Sequence, residues 1–202
     1  MLYRIIRFFI WILFLILGLK VKGSRHIPAR GRVLIVANHN SNWDPVLIAA
    51  AVWRPICYMA KSSLFKYAWS AKILRALNAF PVNRDGVDRQ AMRDAQKILE
   101  SEMILGIFPE GTRKNLGEPI KAKKGAALLA VRGKSPIVPI ACIGARSILP
   151  VGWFRKLTVV IGEPIYNEDI EYGRVSSDGL KNLSDVLSTN IQELYDKEAG
   201  IK

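Results

Sequence analysis

Cysteine and histidine are scarce in this sequence of 202 residues, which contains two of each. Cys57 and Cys142 stand alone in apolar surroundings, without a CxxC pair or a Cys/His cluster. Their isolation argues against a disulfide framework and against a metal site, and it fits chemistry on the cytosolic side of a membrane. Repeats, low-complexity tracts and long Pro/Gly/Ser linkers are also missing. Because half of the residues are apolar, we expect one domain with a full core.

Acidic residues are few: 17 stand against 30 lysines and arginines, which gives a formal net charge of +13. This charge predicts attraction to a polyanion, which leaves nucleic acid, an anionic membrane surface, and an acidic carrier protein or substrate as partners. The basic residues are dispersed and show neither aromatic interleaving nor a nucleic-acid-binding motif. We therefore expect no nucleic-acid partner.

The N-terminal region carries an uninterrupted apolar run of 12 residues, Phe8 to Leu19. As a helix it would measure about 18 Å, short of the roughly 30 Å hydrocarbon core, so it is marginal as a span. Lysines follow it where a signal peptidase would need small residues. Basic residues on both sides favour a monotopic anchor over the alternative of a buried core helix. We predict that residues 1–20 associate with the cytoplasmic face of the cell membrane, as a monotopic segment or a single hydrophobic helix.

The rest of the chain alternates short apolar runs with helical patterns, which indicates a single α/β domain with a mostly parallel mixed sheet flanked by helices. Residues 21–202 form this predicted domain. The expected packing helices cover Val87 to Met103 and Ser176 to Glu198. The expected strands are Val33 to Ala37, Ile56 to Met59, Phe80 to Val82, Ile104 to Phe108, Ile137 to Ile143 and Leu157 to Ile161.

A polar octet, NHNSNWDP, links the first of these strands to an apolar helix that begins near Asp44 and Pro45. His39 follows the strand's carboxyl end, where ligands bind in open α/β sheets. A tight loop would fold Asp44 back onto His39, and the carboxylate would then orient the imidazole as a general base. The alternative is that Asp44 only caps the helix. Since no Gly-x-Ser-x-Gly elbow is present, the nucleophile would be a substrate hydroxyl.

A second polar segment, FPEGTR, follows the apolar run that ends at Phe108. Gly111 allows close backbone approach, Thr112 offers a hydroxyl, and Arg113 offers a planar guanidinium for a phosphate. The alternative is a polar turn with a surface arginine. Another short strand ends in FPVNR and places Arg84 at the same sheet edge, so Arg84 and Arg113 are candidates to bind one phosphate.

The blocks NHNSNWD, FPVNR, FPEGTR and VPI, in this order, resemble the four sequence blocks of the glycerolipid acyltransferase family, most closely the bacterial 1-acyl-sn-glycerol-3-phosphate acyltransferases. The similarity extends from about Val21 to Gly144. Four ordered blocks make a specific match. Asn78 and Asn83 depart from the family, which usually has Gly and Asp at these positions. Asn tolerates the left-handed conformation that Gly adopts. The loss of a carboxylate beside Arg84 has two opposite expected effects, a stronger hold of this arginine on a phosphate or a poorer positioning of its side chain.

The resemblance implies transfer of a fatty acyl chain from a thioester of acyl-carrier protein or coenzyme A to the sn-2 hydroxyl of lysophosphatidate, giving phosphatidate. It implies neither metal nor prosthetic group, with His39 as the base and Asp44 as its orienting partner. Alternatives are another lysolipid acceptor and a non-catalytic basic module at a membrane surface. Pro139 would shape the acyl-donor side, and Lys61 would add charge or lie on the surface. The implied ligands of the glycerol phosphate are Arg84, Glu110, Gly111, Thr112 and Arg113.

Overall fold

A single seven-stranded sheet organises the chain in the computed structural model, which describes residues 2–83, 86, 88–113, 115, 117–147, 157–166 and 176–200. The strand order is β1-β7-β6-β2-β5-β3-β4. Strands β6, β2, β5, β3 and β4 are mutually parallel, and β7 joins antiparallel to β6 with β1 parallel to β7. The predicted mostly parallel mixed sheet is therefore confirmed. The strands are β1 Lys20–Lys22, β2 Val33–Ala37, β3 Ile56–Lys61, β4 Ala79–Val82, β5 Ile104–Ile107, β6 Ile137–Ile143 and β7 Thr158–Ile161.

Helices cover both faces of the sheet, which explains why all five residues of β2 are buried. Alternate residues of β2 point into two separate cores: Val33, Ile35 and Ala37 face one, and Leu34 and Val36 face the other. Helices α1, α2 and α3 pack on the first core, and α4, α5 and α6 on the second. The helices are α1 Leu2–Ile16, α2 Asp44–Ala51, α3 Ala68–Ala76, α4 Arg89–Glu100, α5 Lys124–Gly133 and α6 Ser177–Ala199.

Helix α1 differs from the single hydrophobic membrane helix that was predicted as one form of the N-terminal segment. It has 15 residues, and no helix in the described part of the chain is long and apolar enough to cross a membrane. One side of α1 belongs to the fold: Phe14 is fully buried, and Arg7 Nε donates hydrogen bonds to the α2 carbonyls of Ala49 (3.0 Å) and the following Val52 (2.9 Å). The other side exposes large apolar residues. The predicted core helix is therefore confirmed for one side of α1, whereas contact of the exposed side with a membrane stays a prediction.

Local chemistry sets the observed element boundaries. Helix α4 starts at Arg89, later than predicted, because Asp88 is its N-cap and accepts the backbone N–H groups of Gln90 and Ala91. Asn78, which replaces the family's usual Gly, adopts φ of 59° in the turn before β4, as predicted. Strand β1 was missed because three exposed residues, KVK, give no apolar signal. The parallel strands β2, β5, β3 and β4 all end at one edge, where the predicted polar segments meet.

Candidate active site

The loop between β2 and α2 brings His39 and Asp44 into contact. His39 Nδ1 lies 3.0 Å from Asp44 Oδ2, and the same oxygen accepts the backbone N–H groups of Asn40 and Ser41, each at 2.7 Å. Asp44 is completely buried. Its carboxylate therefore faces backward onto the loop and does not cap α2, whose N-cap residue is Trp43 and lacks a side-chain cap. The loop folds this way because one oxygen satisfies two backbone donors and the imidazole together.

The position of the His39 backbone is set from two sides. The side chain of Asn38 bridges β2 to β6: its Nδ2 donates to the carbonyl of Cys142 (3.0 Å), and its Oδ1 accepts the N–H of Cys142 (2.7 Å). Glu110 Oε2 accepts the backbone N–H of His39 at 3.2 Å. Both side chains are buried. The glutamate of FPEGTR thus contacts the histidine loop. Asn38 was not anticipated as a site residue; an amide directly after a fully apolar strand is the signal that could have found it.

An aromatic stack supports the imidazole ring. The Phe108 ring lies 4.1 Å from the His39 ring, centroid to centroid, at an interplanar angle of 23°. Tyr58 continues the stack at 6.4 Å from Phe108, and its hydroxyl donates to the carbonyl of Pro45 at 3.1 Å. Burial raises the pKa of Tyr58 well above its ordinary value, so the hydroxyl stays protonated. Gly106 makes room for this ring, because a Cβ there would lie 2.6 Å from Tyr58 Cε1.

The ring geometry indicates which imidazole nitrogen can do chemistry. Asp44 engages Nδ1, so the proton on that nitrogen is held by a carboxylate and Nε2 carries the free lone pair. His39 is 8% exposed, which leaves a small opening to the surface. A buried carboxylate also stabilises the imidazolium that forms when Nε2 takes a proton. The pair can act as a general base toward a hydroxyl group held at the opening.

A polar pocket of about 540 Å³ lies beside this pair. The described part of its lining includes the exposed residues Arg113 and Arg146, the latter in the 3-10 turn Ala145–Ser147 that follows β6. Arg146 Nη2 donates to Asn115 Oδ1 at 3.2 Å, which directs its guanidinium toward the FPEGTR loop. Two guanidinium groups and several hydroxyl and amide groups suit a phosphate. Among the described residues, the lining consists of Asn40, Ser41, Asn42, Trp43, Thr112, Arg113 and Arg146.

The other predicted ligands lie at different places. Gly111 turns the chain between Glu110 and Thr112 with a positive φ of 75°. Lys61 is exposed at the end of β3, opposite Val82 of β4. Pro139 lies inside β6, paired with Val36, so it is three residues short of the edge that carries His39. Arg84 is outside the described residues, and its convergence with Arg113 stays a prediction. Arg146 is an additional pocket residue that was not predicted, since no strand-end arginine motif marks it in the sequence.

A larger cavity of about 720 Å³ lies between the sheet edge and helices α4 and α5, and Phe108 is part of its lining. Its apolar lining includes Met59, Met92, Ile107, Phe108 and Leu129. The basic residues that line it, where the structure describes the chain, are Arg89, Arg93, Lys123, Lys124 and Arg132. We call it the apolar cavity. Phe108, which stacks on the His39 ring, also lines this cavity, so the cavity extends close to the imidazole.

Comparison with known proteins identifies the family of the chain. A family model described as acyltransferase matches residues 18–143, more than half of the chain. The chain belongs to this acyltransferase family. Its membership, predicted from the four blocks, is confirmed, and with it the assignment as an enzyme. Residues 18–143 include every predicted site residue, from His39 to Pro139.

Individual relatives carry a common name. The chain is similar to the 1-acyl-sn-glycerol-3-phosphate acyltransferase of Bacillus subtilis (strain 168), with 34% identity over 182 residues and 89% of each chain covered. It is 28% identical over 163 residues to the enzyme of that name from Streptococcus pneumoniae, covering 80% of this chain and 60% of that one. The crystal structure of the 1-acyl-sn-glycerophosphate (LPA) acyltransferase PlsC from Thermotoga maritima superposes with a TM-score of 0.66 at 30% identity, covering 88% of this chain and 72% of that one.

Proposed function

We propose that this acyltransferase moves a fatty acyl group from a thioester to the sn-2 hydroxyl of lysophosphatidate, forming phosphatidate. One observation carries the proposal: the His39–Asp44 pair opens next to a pocket with two arginines. A base beside an anion site suits an acceptor that carries both a hydroxyl and a phosphate. The names of the relatives in Bacillus subtilis and Thermotoga maritima support the same acceptor.

The reaction needs one base and two binding sites. His39 Nε2 takes the proton of the sn-2 hydroxyl, and the oxygen attacks the thioester carbonyl carbon to give a tetrahedral oxyanion. When the C–S bond breaks, the imidazolium returns the proton to the leaving thiolate. Asp44 Oδ2 stabilises the imidazolium throughout, because its negative charge is buried 3.0 Å away. The chemistry proposed here requires no metal or prosthetic group.

The two cavities divide the substrates. The polar pocket would hold the glycerol phosphate of the acceptor through Arg113, Arg146 and Thr112. The apolar cavity is the proposed site of the fatty acyl chain, and its basic lining residues suit the polyanionic donor, either acyl-carrier protein or coenzyme A. The exposed side of α1 would lie in the surface of the membrane that contains the acceptor.

The test is consumption of an acyl thioester by purified protein with lysophosphatidate, with a monoacylglycerol that lacks the phosphate, and without acceptor. We expect strong preference for lysophosphatidate, because only the phosphorylated acceptor can form charge-assisted hydrogen bonds with the two guanidinium groups. Arg113→Lys keeps the charge but loses the bidentate geometry, so acceptor binding should weaken by about 1–3 kcal/mol, and Arg113→Ala should weaken it further. Arg146→Ala should act in the same direction.

Three outcomes would contradict the proposal. Substantial turnover by a folded His39→Ala protein would exclude His39 as the base. Equal losses on both acceptors in the arginine variants would assign Arg113 a structural role in its loop. A preference for a different lysolipid, in a panel offered with both donor types, would keep the enzyme class and replace the acceptor.

A further inference from the structure

Helix α3 and the short 3-10 helix before it, Ser62–Phe65, expose four large apolar side chains. Leu64, Tyr67, Trp69 and Ile73 are each more than half exposed, at 53%, 59%, 69% and 53%. The inward side of the same segment is already occupied, because Phe65 and Leu74 pack on the first core. Packing within the fold therefore does not account for the outward group, and a cluster of this kind is typical of an interaction surface.

This segment lies on the same face of the sheet as α1, because both pack on the first core. It also lies beside the site: it follows Lys61, which ends β3 at the active-site edge. On the other flank, Phe14 of α1 contacts Trp43 edge to face at 6.3 Å, and Trp43 lines the polar pocket. The apolar side of α1, with seven large exposed side chains between Ile5 and Ile16, thus flanks the site opposite residues 62–76.

Nearly all of the net charge lies in the N-terminal part of the sequence, which contains both α1 and residues 62–76. The first 84 residues contain 13 lysines and arginines and a single acidic residue, the buried Asp44, for a net charge of +12. The remaining 17 basic and 16 acidic residues give a net charge of +1. Within residues 62–76, Lys66, Lys72 and Arg75 are exposed, and Lys66 Nζ lies 5.8 Å from the centre of the Tyr67 ring.

We infer that residues 62–76 form a second membrane contact, which inserts Leu64, Tyr67, Trp69 and Ile73 into the headgroup layer of an anionic bilayer alongside α1. Tryptophan and tyrosine prefer this layer, and lysines and arginines beside them are attracted to anionic lipids. Two contacts on opposite flanks hold the polar pocket at the bilayer surface. The inference deepens the proposed function and rests on it in one respect, since a membrane-resident acceptor gives the surface its purpose.

A bilayer fits this surface better than a protein partner does. The exposed apolar residues come from two separate segments that pack on one face of the sheet, and three exposed basic residues, Lys66, Lys72 and Arg75, accompany those of residues 62–76. An acidic carrier protein would use the charges without the apolar side chains, and a second copy of the chain would bring two strongly positive faces together. Vesicle binding, sedimentation and the choice of acyl donor distinguish these two partners from a bilayer.

The apolar contact is tested by flotation of the full chain with vesicles of phosphatidylcholine mixed with phosphatidylglycerol, without substrate. We expect Trp69→Gln/Ile73→Gln to lower the vesicle partition coefficient on the order of tenfold or more. The matched control, Tyr166→Gln/Val186→Gln, removes exposed apolar residues elsewhere and should bind like the wild type. Trp69→Phe should keep binding but reduce quenching of tryptophan fluorescence by lipids with brominated acyl chains.

The electrostatic contact is tested with matched charge changes. Lys66→Gln/Lys72→Gln/Arg75→Gln should weaken binding to anionic vesicles by about fivefold for each charge removed. The control loses the same charge from α4 and α6 and should have a smaller effect, because these helices cover the other sheet face. It is Lys97→Gln/Lys181→Gln/Lys197→Gln. On pure phosphatidylcholine the two triple variants should not differ.

The inference is overturned if the residue 62–76 variants, folded by circular dichroism, bind vesicles like the wild type or no worse than their controls. It is also overturned if sedimentation shows that Trp69→Gln/Ile73→Gln converts a dimer to a monomer while vesicle binding persists. A further contradicting outcome is a double variant that binds vesicles normally and is defective only in acyl transfer from acyl-carrier protein. Acyl transfer to a short-chain acceptor in solution is measured in parallel. If the wild type does not catalyse this transfer, the proposed function is refuted. The result of the vesicle experiment is then interpreted by itself.

Discussion

Replacement of Asp44 by Asn removes one buried negative charge and almost nothing else. Asp44 Oδ2 accepts three hydrogen bonds, from His39 Nδ1 at 3.0 Å and from the N–H groups of Asn40 and Ser41 at 2.7 Å. An asparagine carbonyl in the same place can accept all three. The loop can therefore keep its shape while the imidazole loses its charged partner.

Two magnitudes follow from this geometry. Hydrogen bonds to charged groups are worth about 1.5–3 kcal/mol, against about 0.5–1.5 kcal/mol for neutral pairs, so the imidazolium loses stabilisation just when it forms. This difference of about 1–1.5 kcal/mol corresponds to a fall in kcat of roughly tenfold. The new amide nitrogen replaces Oδ1, which is buried and has no hydrogen-bond partner among the described residues. That placement should lower the free energy of unfolding by about 1–3 kcal/mol.

The assay combines thioester consumption at saturating lysophosphatidate with urea unfolding. Ser176→Ala is the matched control for stability, because Ser176 Oγ accepts the N–H of Gly179 at the start of α6, away from the site. Its loss should cost about 1 kcal/mol and leave kcat unchanged. If folded Asp44→Asn protein turns over at nearly the wild-type rate, Asp44 only shapes the loop and the base does not need its charge.

Two further substitutions and one labelling experiment probe the surroundings of the site. Gly106→Ala should lower the free energy of unfolding by about 1–3 kcal/mol and reduce kcat, because the new Cβ would lie 2.6 Å from the Tyr58 ring. The control, Gly125→Ala, has open space around its Cβ and should be neutral or stabilising in the same urea titration. Asn38→Ala should cost about 2–5 kcal/mol in that titration, since it leaves the N–H and carbonyl of Cys142 without their buried partner; a loss below 1 kcal/mol would be inconsistent with the bridge. Burial raises the pKa of Cys57 to about 11 and that of Cys142 well above its ordinary value, so neither thiol should react with a disulfide reagent at neutral pH until the protein unfolds, and rapid labelling of the native protein would contradict their burial.

The pair at the centre of the site could be predicted because its geometry is local. A strand, a short loop and a helix determine where residues five positions apart meet, and here the carboxylate returns to the imidazole as expected. The sheet could be predicted for a similar reason, since continuous apolar runs such as β2 and β6 are typical of strands buried on both faces. Strand β1 lacks that signal and is defined only by its pairing with β7, 138 positions away at Lys20 and Thr158.

The remaining site contacts depend on residues far apart in the chain. Arg146 reaches the polar pocket because β6 pairs with β2, and Asn38 reaches Cys142 through the same pairing. A single sequence does not specify which strands become neighbours, so neither residue stands out in it. Helix α1 shows the same limit, because its apolar run predicts burial or membrane contact but not the division into a packed side and an open one.

The FPEGTR segment shows how one backbone angle separates residues that a motif groups together. The sequence predicts one acceptor-binding set from Glu110 to Arg113. In the structure Gly111, with φ of 75°, reverses the chain, so that Glu110 is buried against the N–H of His39 while Thr112 and Arg113 line the polar pocket. The glycine therefore connects a residue that positions the base to residues suited to a phosphate. A substitution on one side of Gly111 should therefore also shift the residues on the other side. Because Glu110 contacts the His39 loop, Glu110→Gln should alter kcat more than acceptor affinity, although Glu110 lies in the predicted binding motif.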